Sequence, residues 1–512
     1  MRFSIAALAL PVAAQAANYS GSLRPQVQFS PPYGFMNDPN GLFYDAKRDL
    51  YHLYYQWNPY ELVAGNQHWG HATSQDLYHW TNHPAAISPS NPDEYIFSGS
   101  AVIDGNNTSG FFPGQDDGVV AIYTVDTAEA QTQNIAYSTD GGYTFTKYAH
   151  NPIININSTE FRDPQVTWQP ETKQWLMTLA YAADKVIGFY TSPNLRDWTH
   201  ASNFTRQNLP GDQFECPNLV KFAVDTEGSK HVLFISVNPG APLGGSGTYY
   251  LVGDFNGTHF NPDTSDPTLY EFSKDNYASQ WYTDLSAQSS PISIGWASNW
   301  DYAEEVPTGE LEGWRSAMSV PRHHTLTKVK GAWTVTRTPF HDLSSVKSSP
   351  LRNRNHPDGV TASFANVSSK AIHFEIDIEG IDAANPVGDI NFNFTSPAGD
   401  HLDGGVVLDT GLFWLDRAGT HLYTVANSTD FTPLSNTSIS VSQGRFAFSG
   451  VIDRSVLEVF LENGTQSATV TYFPTAPLDR LAVGTSGLGH GTRVGLAAWG
   501  LDSGWYDASR SE

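Results

Sequence analysis

The chain has 512 residues, 28 of them basic and 52 acidic, for a formal charge of −24. That length exceeds what one hydrophobic core usually serves, which predicts two domains, and the acidic balance leaves no basic surplus for a nucleic-acid partner. Charged residues make up 16% of the chain, where about 25% is ordinary, while aromatic residues reach 13% and Gly and Pro number 43 and 31. Such a turn-rich, aromatic-rich chain suits an all-β protein and argues against a helical bundle. Cys216 is the only cysteine, so an intrachain disulfide and a multi-cysteine zinc site are both excluded.

In chain order, residues 1–16 read as a secretory signal peptide. Arg2 is basic, residues 5–14 are apolar, and Ala14-Gln15-Ala16 supplies the small residues of a cleavage site. No later segment reaches about 20 apolar residues, so neither a transmembrane helix nor a membrane partner is expected. Asn-X-Ser/Thr sequons at Asn18, Asn106, Asn107, Asn157, Asn203, Asn256, Asn366, Asn393, Asn427, Asn436 and Asn463 predict N-glycans on a secreted, extracellular or cell-wall protein.

Residues 17–338 carry a repeat. The turn Ser74-Gln75-Asp76-Leu77-Tyr78-His79-Trp80 resembles the segments closing on Phe145, on Trp198 and, more loosely, on Phe260. Short strand-like runs lie between these turns, at 119–125, 175–181, 231–237 and 248–252. A multi-strand unit of about 60 residues is the signature of propeller blades, and 25–335 holds five of them. Residues 339–350 read as an interdomain connection, crowded with Ser344, Ser345, Ser348 and Ser349. Beyond it, residues 351–512 hold strand-like runs at 372–378, 405–415, 446–460 and 468–473 with no helical period, which predicts a β-sandwich. Within it Leu457, Val459 and Leu461 share one strand face.

Three carboxylate motifs stand out in the propeller: Phe35-Met36-Asn37-Asp38-Pro39-Asn40-Gly41, Phe161-Arg162-Asp163-Pro164 and Phe214-Glu215-Cys216-Pro217. Proline fixes the backbone and removes a ladder donor, so these acids sit at strand ends or turns, free to project into a cavity. Their separations of 125 and 52 residues are about two blades and one blade, which brings them to one mouth of a propeller channel. Two facing carboxyls are the working parts of a glycosidase. His68 and His71 are spaced like metal ligands, but the spacing alone favours a structural role. No P-loop, EF-hand or zinc pattern occurs, so no cofactor and no metal is expected.

The ordered set Met36-Asn37-Asp38-Pro39-Asn40-Gly41, Arg162-Asp163-Pro164 and Glu215-Cys216-Pro217 resembles the invertase–fructanase family of glycoside hydrolases, family 32. Further matches are Tyr55-Gln56-Trp57-Asn58-Pro59, Trp69-Gly70-His71-Ala72, Phe97-Ser98-Gly99-Ser100, Trp296-Ala297-Ser298-Asn299-Trp300, Trp314-Arg315-Ser316-Ala317-Met318-Ser319 and, in the second domain, Asp453-Arg454-Ser455-Val456-Leu457-Glu458-Val459-Phe460. The resemblance implies a five-bladed β-propeller followed by a β-sandwich and a secreted β-fructofuranosidase acting on a sugar substrate, mainly sucrose. It implies Asp38 as nucleophile, Glu215 as general acid/base, and Asp163 with Arg162 binding the fructosyl unit. Asn37, Gln56, Ser98 and Trp300 then line the fructose pocket, with Phe35 and Phe97 as apolar walls and Cys216 tuning the acid beside it. Retention requires the two catalytic carboxyls to lie roughly 5–5.5 Å apart.

Two departures bear on substrate choice. Leu62-Val63-Ala64-Gly65 puts Ala64 where a pocket-wall Trp is expected, and the segment 307–314 is longer than in the yeast pattern. An exo-inulinase or levanase, a fructosyltransferase and a non-catalytic carbohydrate-binding propeller remain open as alternatives. The sandwich carries no evident chemistry and is left for packing on the propeller or for a homo-oligomer interface.

Overall fold

The computed structural model describes residues 18–206, 208–224, 228–286, 289–355 and 360–505; the segment read as a signal peptide lies outside them. Five antiparallel sheets form the blades of a propeller, and two six-stranded sheets form a sandwich. Blade I comprises Gly34–Asp45, Leu50–Asn58, His68–Ser74 and Thr81–Ile87, with Trp314–Arg315 running parallel to its first strand. Blade II comprises Tyr95–Ile103, Val119–Asp126, Gln131–Ser138 and Thr146–Lys147. Blade III is Phe161–Gln169, Gln174–Tyr181, Val186–Ser192 and Thr199–Phe204. Blade IV is Phe214–Val224, Gly228–Val237, Gly247–Phe255 and Phe260–Pro262; blade V is Tyr277–Trp281, Ile292–Ala297, Arg322–Val329 and Ala332–Pro339. The first strand of each blade touches that of the next, and blade V returns to blade I, so the five first strands ring the axis. Thr283 and Tyr44 close the ring through backbone bonds: Thr283 N–H donates to the Leu42 carbonyl at 3.0 Å, and Tyr44 N–H to the Thr283 carbonyl at 3.1 Å.

The repeated aromatic-tipped turns join the third and fourth strands of blades I to IV. They form because a short polar side chain caps nearby N–H groups. Ser74 Oγ accepts from Leu77 N at 2.8 Å and Asp76 Oδ1 from Tyr78 N at 3.0 Å. Ser138 and Asp140 cap Gly142 and Tyr143, Asn194 caps Asp197, and Asn256 caps His259. Blade V departs from the pattern with a tight hairpin at Lys330-Gly331, both at positive φ (50° and 87°), as a two-residue turn of the primed type needs. It therefore lacks the sequence mark of the others.

The sandwich sheets are ordered Lys347–Asn355, Arg493–Leu501, Ala371–Glu379, Arg445–Asp453, Val456–Leu461, Gln466–Thr471 and Val360–Ser363, Arg480–Ser486, Asp389–Thr395, His401–Val407, Leu412–Asp416, Leu434–Ser438. The strand-like runs 405–415 and 446–460 are each folded back as hairpins. Lys347–Pro350, within the stretch read as a connection, already pair with Arg493–Leu501.

Alternation explains the core. Ile372, Phe374, Ile376 and Ile378 face Phe392, Phe394 and Phe413 between the sheets. Leu457, Val459 and Leu461 face the same core, as their period requires. The opposite face of that strand is buried too. Phe460 packs with Met318 of the propeller and with Phe340 and Leu343 just beyond it, and Glu458 is wholly buried. Arg322 of blade V pairs with Glu458 at 2.6 Å, so the two domains share buried polar as well as apolar surface.

Candidate active site

Each first strand carries a β-bulge of the same form, two residues opposite one on the second strand, and blade I has a second such bulge at Gly41-Leu42. The pairs are Asn37-Asp38 opposite Gln56, Phe97-Ser98 opposite Thr124, Asp163-Pro164 opposite Leu179, Cys216-Pro217 opposite Ile235, and Ala278-Ser279 opposite Gly295. A bulge breaks the in–out alternation and re-aims a side chain, so polar side chains leave the blade face for the axis. Asp163 (φ 65°), Cys216 (φ 46°) and Ala278 (φ 50°) take left-handed backbone to do so. The prolines at 164 and 217 sit where no ladder donor is needed.

The bulges of blades I to III, with Glu215 beside that of blade IV, border a cavity of about 260 Å³ lined by Asn37, Asp38, Gln56, Gln67, Phe97, Ser98, Arg162, Asp163, Glu215, Asn238 and Trp300. Its volume lies below the range of about 300–1,000 Å³ typical of drug-sized ligands, which suits a single sugar unit. Of the residues expected from sequence, only Phe35 is absent from the lining. Its ring is buried behind Trp300, 6.0 Å between centroids, among Cys216, Tyr277, Trp296 and Ala303. Ala64, at the position expected to hold a pocket-wall Trp, packs against the same cluster as Trp300 but is not among the lining residues.

Asp38 accepts from Ser98 Oγ at 2.8 Å and from the Cys216 thiol at 3.4 Å, both through Oδ2; Oδ1 is buried with no partner. Burial pushes its pKa up to about 6, with Ser98 opposing the rise and Glu215 adding to it. Asp163 Oδ2 accepts from Cys216 N at 2.9 Å. Burial raises this carboxyl as well, against the pull of Arg162. The Cys216 thiol is held neutral, pushed well above its ordinary range by burial and by the surrounding carboxylates, so it serves as a weak donor shared by two acids and not as a nucleophile.

Arg162 meets Glu215 Oε1 with two donors, Nη2 at 2.8 Å and Nε at 3.2 Å. Its fork is oriented from behind by Glu160 Oε2 at 2.7 Å and Gln213 Oε1 at 2.7 Å. The other oxygen, Oε2, accepts a short hydrogen bond from the Tyr277 hydroxyl. Tyr277, Gln67 and Asn238 escaped the sequence reading. None stands beside a proline-flanked acid, although Tyr277 follows Glu215 by 62 residues, a full blade. His68 and His71 do not converge on a site. His68 Nδ1 lies 2.5 Å from the Asn66 carbonyl, and His71 Nε2 lies 3.0 Å from His52 Nδ1 inside blade I.

A pocket with a partnerless buried carboxylate oxygen on one wall and an arginine-held, tyrosine-held glutamate on another is equipped for glycosyl transfer. The model of the glycosyl hydrolases family 32 N-terminal domain matches residues 28–336. The chain belongs to glycosyl hydrolase family 32. An extracellular exo-inulinase of Meyerozyma guilliermondii is 40% identical over 473 residues, 88% of this chain and 90% of that protein. Invertase 2 of Saccharomyces cerevisiae is 37% identical over 506 residues, 92% of this chain and 93% of the yeast protein. The β-fructofuranosidase of Schwanniomyces occidentalis, solved with fructosyl-erythritol, superposes with a TM-score of 0.86 at 33% identity, covering 96% of this chain and 99% of that one. The family member described here is a glycoside hydrolase built, like its relatives, as a five-bladed propeller joined to a β-sandwich.

Proposed function

We propose that this family 32 enzyme is a β-fructofuranosidase that removes terminal non-reducing fructosyl units, sucrose foremost, with retention at the anomeric carbon. The observation that carries the proposal is Asp38, whose Oδ2 is held by Ser98 and Cys216 while Oδ1 is buried and unpartnered. An oxygen so placed costs desolvation energy unless a ligand uses it, and a sugar's anomeric carbon is such a ligand. Glu215 gives its proton to the glycosidic oxygen as Oδ1 attacks, the C–O bond to glucose breaks, and fructose remains esterified to Asp38. The Glu215 carboxylate then takes a proton from water, whose oxygen displaces Asp38 and releases fructose. Asp163 and Arg162 bind the fructosyl hydroxyls, while Trp300 and Phe97 meet the apolar edges of the ring.

The test is product analysis on sucrose, raffinose and inulin at low and high concentration. Free fructose, appearing first as the β-furanose by NMR, is expected; α-fructose as first product would sink retention, and no fructose from any of them would sink the activity. Asp38→Asn is expected to lower kcat by roughly 10⁴-fold or more with the fold intact. Fructan cleavage is the second reading, favoured by Ala64, which packs on the same cluster as Trp300 and leaves more room for a leaving group than an indole would. Equal rates on sucrose and inulin would establish it. Secretion and N-glycosylation belong to the same proposal, supported by eleven sequon asparagines that are all at least partly exposed. Enzymatic deglycosylation of the secreted protein should lower its mass.

A further inference from the structure

Two loops of blade V deliver groups to the pocket. Residues 272–277 end on Tyr277, which holds Glu215, and 298–303 present Trp300 to the cavity. The loops are tied to each other: Asn299 Nδ2 donates to the Lys274 carbonyl at 2.8 Å, and the Tyr302 hydroxyl donates to Asp275 Oδ1. Trp300 itself is pinned through its N–H to Ser246 Oγ at 3.2 Å.

The tie is completed from the sandwich. Arg417 follows the strand Leu412–Asp416, and its Nη1 donates to Asp275 Oδ2 at 2.7 Å and to the Thr471 carbonyl at 2.9 Å. Its Nη2 lies 3.4 Å from the Tyr302 hydroxyl, and its Nε donates to the Thr432 carbonyl at 3.0 Å. Thr471 adds two donors to the same Asp275 oxygen, N at 2.8 Å and Oγ1 at 3.0 Å. The guanidinium lies 3.5 Å from the centroid of Phe431. Arg417 and Asp275 side chains are 3% and 2% exposed, and Tyr302 is 1% exposed. A buried fork with this many satisfied donors admits one geometry, and that geometry includes residues two positions from Tyr277 and two from Trp300.

We propose that Arg417 is a positioning residue for catalysis: the sandwich domain, through Arg417 and Asp275, sets the reach of Tyr277 to Glu215 and the wall formed by Trp300. The proposal rests on the β-fructofuranosidase reading of the pocket. It makes the second domain part of the site's geometry without contact between Arg417 and the substrate. A point-charge lysine keeps the charge but loses the fork, so displacement of both loops is the expected consequence.

The experiment is steady-state kinetics on sucrose with the full-length wild type, Arg417→Lys, Tyr302→Phe and Asp453→Asn, each with its melting temperature and its kcat/KM profile against pH. Asp453 is a matched control: it is buried and joins the domains, but it caps the N–H groups of Gln26, Val27 and Gln28 at 2.7–3.2 Å and not a pocket loop. Arg417→Lys is expected to raise KM and lower kcat, reducing kcat/KM roughly tenfold to a hundredfold, and to change the profile. Asp453→Asn is expected to lower the melting temperature with KM and profile unchanged. Where Arg417→Lys yields no folded enzyme, Tyr302→Phe, which keeps the ion pair, decides by the same readouts. Variants that melt earlier yet keep wild-type KM, kcat and pH profile would overturn the positioning role while leaving the active wild type to support the parent reading. A wild type that releases no fructose would overturn both.

Discussion

Glu215 holds a donor on each carboxylate oxygen, Arg162 on Oε1 and Tyr277 on Oε2. A group that must give up a proton and recover it in each cycle is governed by such bonds. Removing the Tyr277 hydroxyl deletes a charge-assisted bond of about 1.5–3 kcal/mol, so Tyr277→Phe is expected to lower kcat roughly 10- to 100-fold. An unaltered kcat in a folded variant would remove Tyr277 from the machinery. The contrast between Glu215 and Tyr277 shows what could be read at this scale. Asp38, Asp163 and Glu215 were legible because proline neighbours mark positions that cannot continue a ladder. Tyr277 was not, because a buried tyrosine is usually core, and only the closing of the ring brings it against a residue 62 positions earlier. Phe35 failed for the converse reason: its motif neighbours reach the cavity, but its own ring lies one layer behind.

At the level of the element, the bulges place the site and the turns place the blades, and the two differ in legibility. The turns are local, each built from a Ser, Asp or Asn capping a backbone within four residues, so four of them were visible as a repeat. The bulges depend on pairing between strands, and an alternation pattern interrupted by two residues reads only as an irregular strand. Ala278 tests the bulge of blade V. It is fully buried at φ 50°. Ala278→Gly relieves left-handed strain of about 1 kcal/mol but removes a buried methyl of similar worth, so its stability should stay within about 1 kcal/mol. Ala278→Val adds two methyl groups and a β-branch to that conformation and should destabilise by about 2–4 kcal/mol, read by denaturant titration. A harmless valine would mean that the bulge is not fixed as described.

The second and third strands of blade I offer a pH test at the same scale. His71 is buried against His52 at 3.0 Å and stacks on it and on Tyr54. Burial lowers His52 to about 3 and His71 well below 6.5. In the unfolded chain both titrate near 6.5, so the stability of keeping them neutral is full above that pH and is lost as pH falls toward the folded values. Each contributes a slope of about 1.4 kcal/mol per pH unit. His71→Gln should therefore flatten the fall in unfolding free energy between pH 6 and 5 by about that amount. Parallel curves for variant and wild type would show that His71 is not buried neutral.

For the whole molecule the question is whether propeller and sandwich unfold together. Glu458 lies on a sandwich strand with no solvent exposure and accepts from Val320 N at 2.6 Å, Gln28 Nε2 at 2.7 Å and Arg322 Nη2 at 2.6 Å, all from the propeller side. Its sequence position, alternating with Leu457 and Val459, reads as the solvent face of a sandwich strand; the second buried face exists only because another domain covers it. Glu458→Gln keeps the shape but removes the charge opposite Arg322 and turns an amide N–H toward donors. A broken buried pair costs about 3–5 kcal/mol, softened here because Arg322 keeps its short bond to Glu271. An exposed pair such as Arg445–Asp377, with side chains 56% and 34% exposed, is worth about 1 kcal/mol at most, so Asp377→Asn is the comparison. Because Glu458 and its donors lie on opposite domains, the loss is charged to both at once: calorimetry of Glu458→Gln should show one transition shifted down by several degrees, and Asp377→Asn almost none. Splitting into two transitions would show instead that each domain is stable alone and that the interface only docks them.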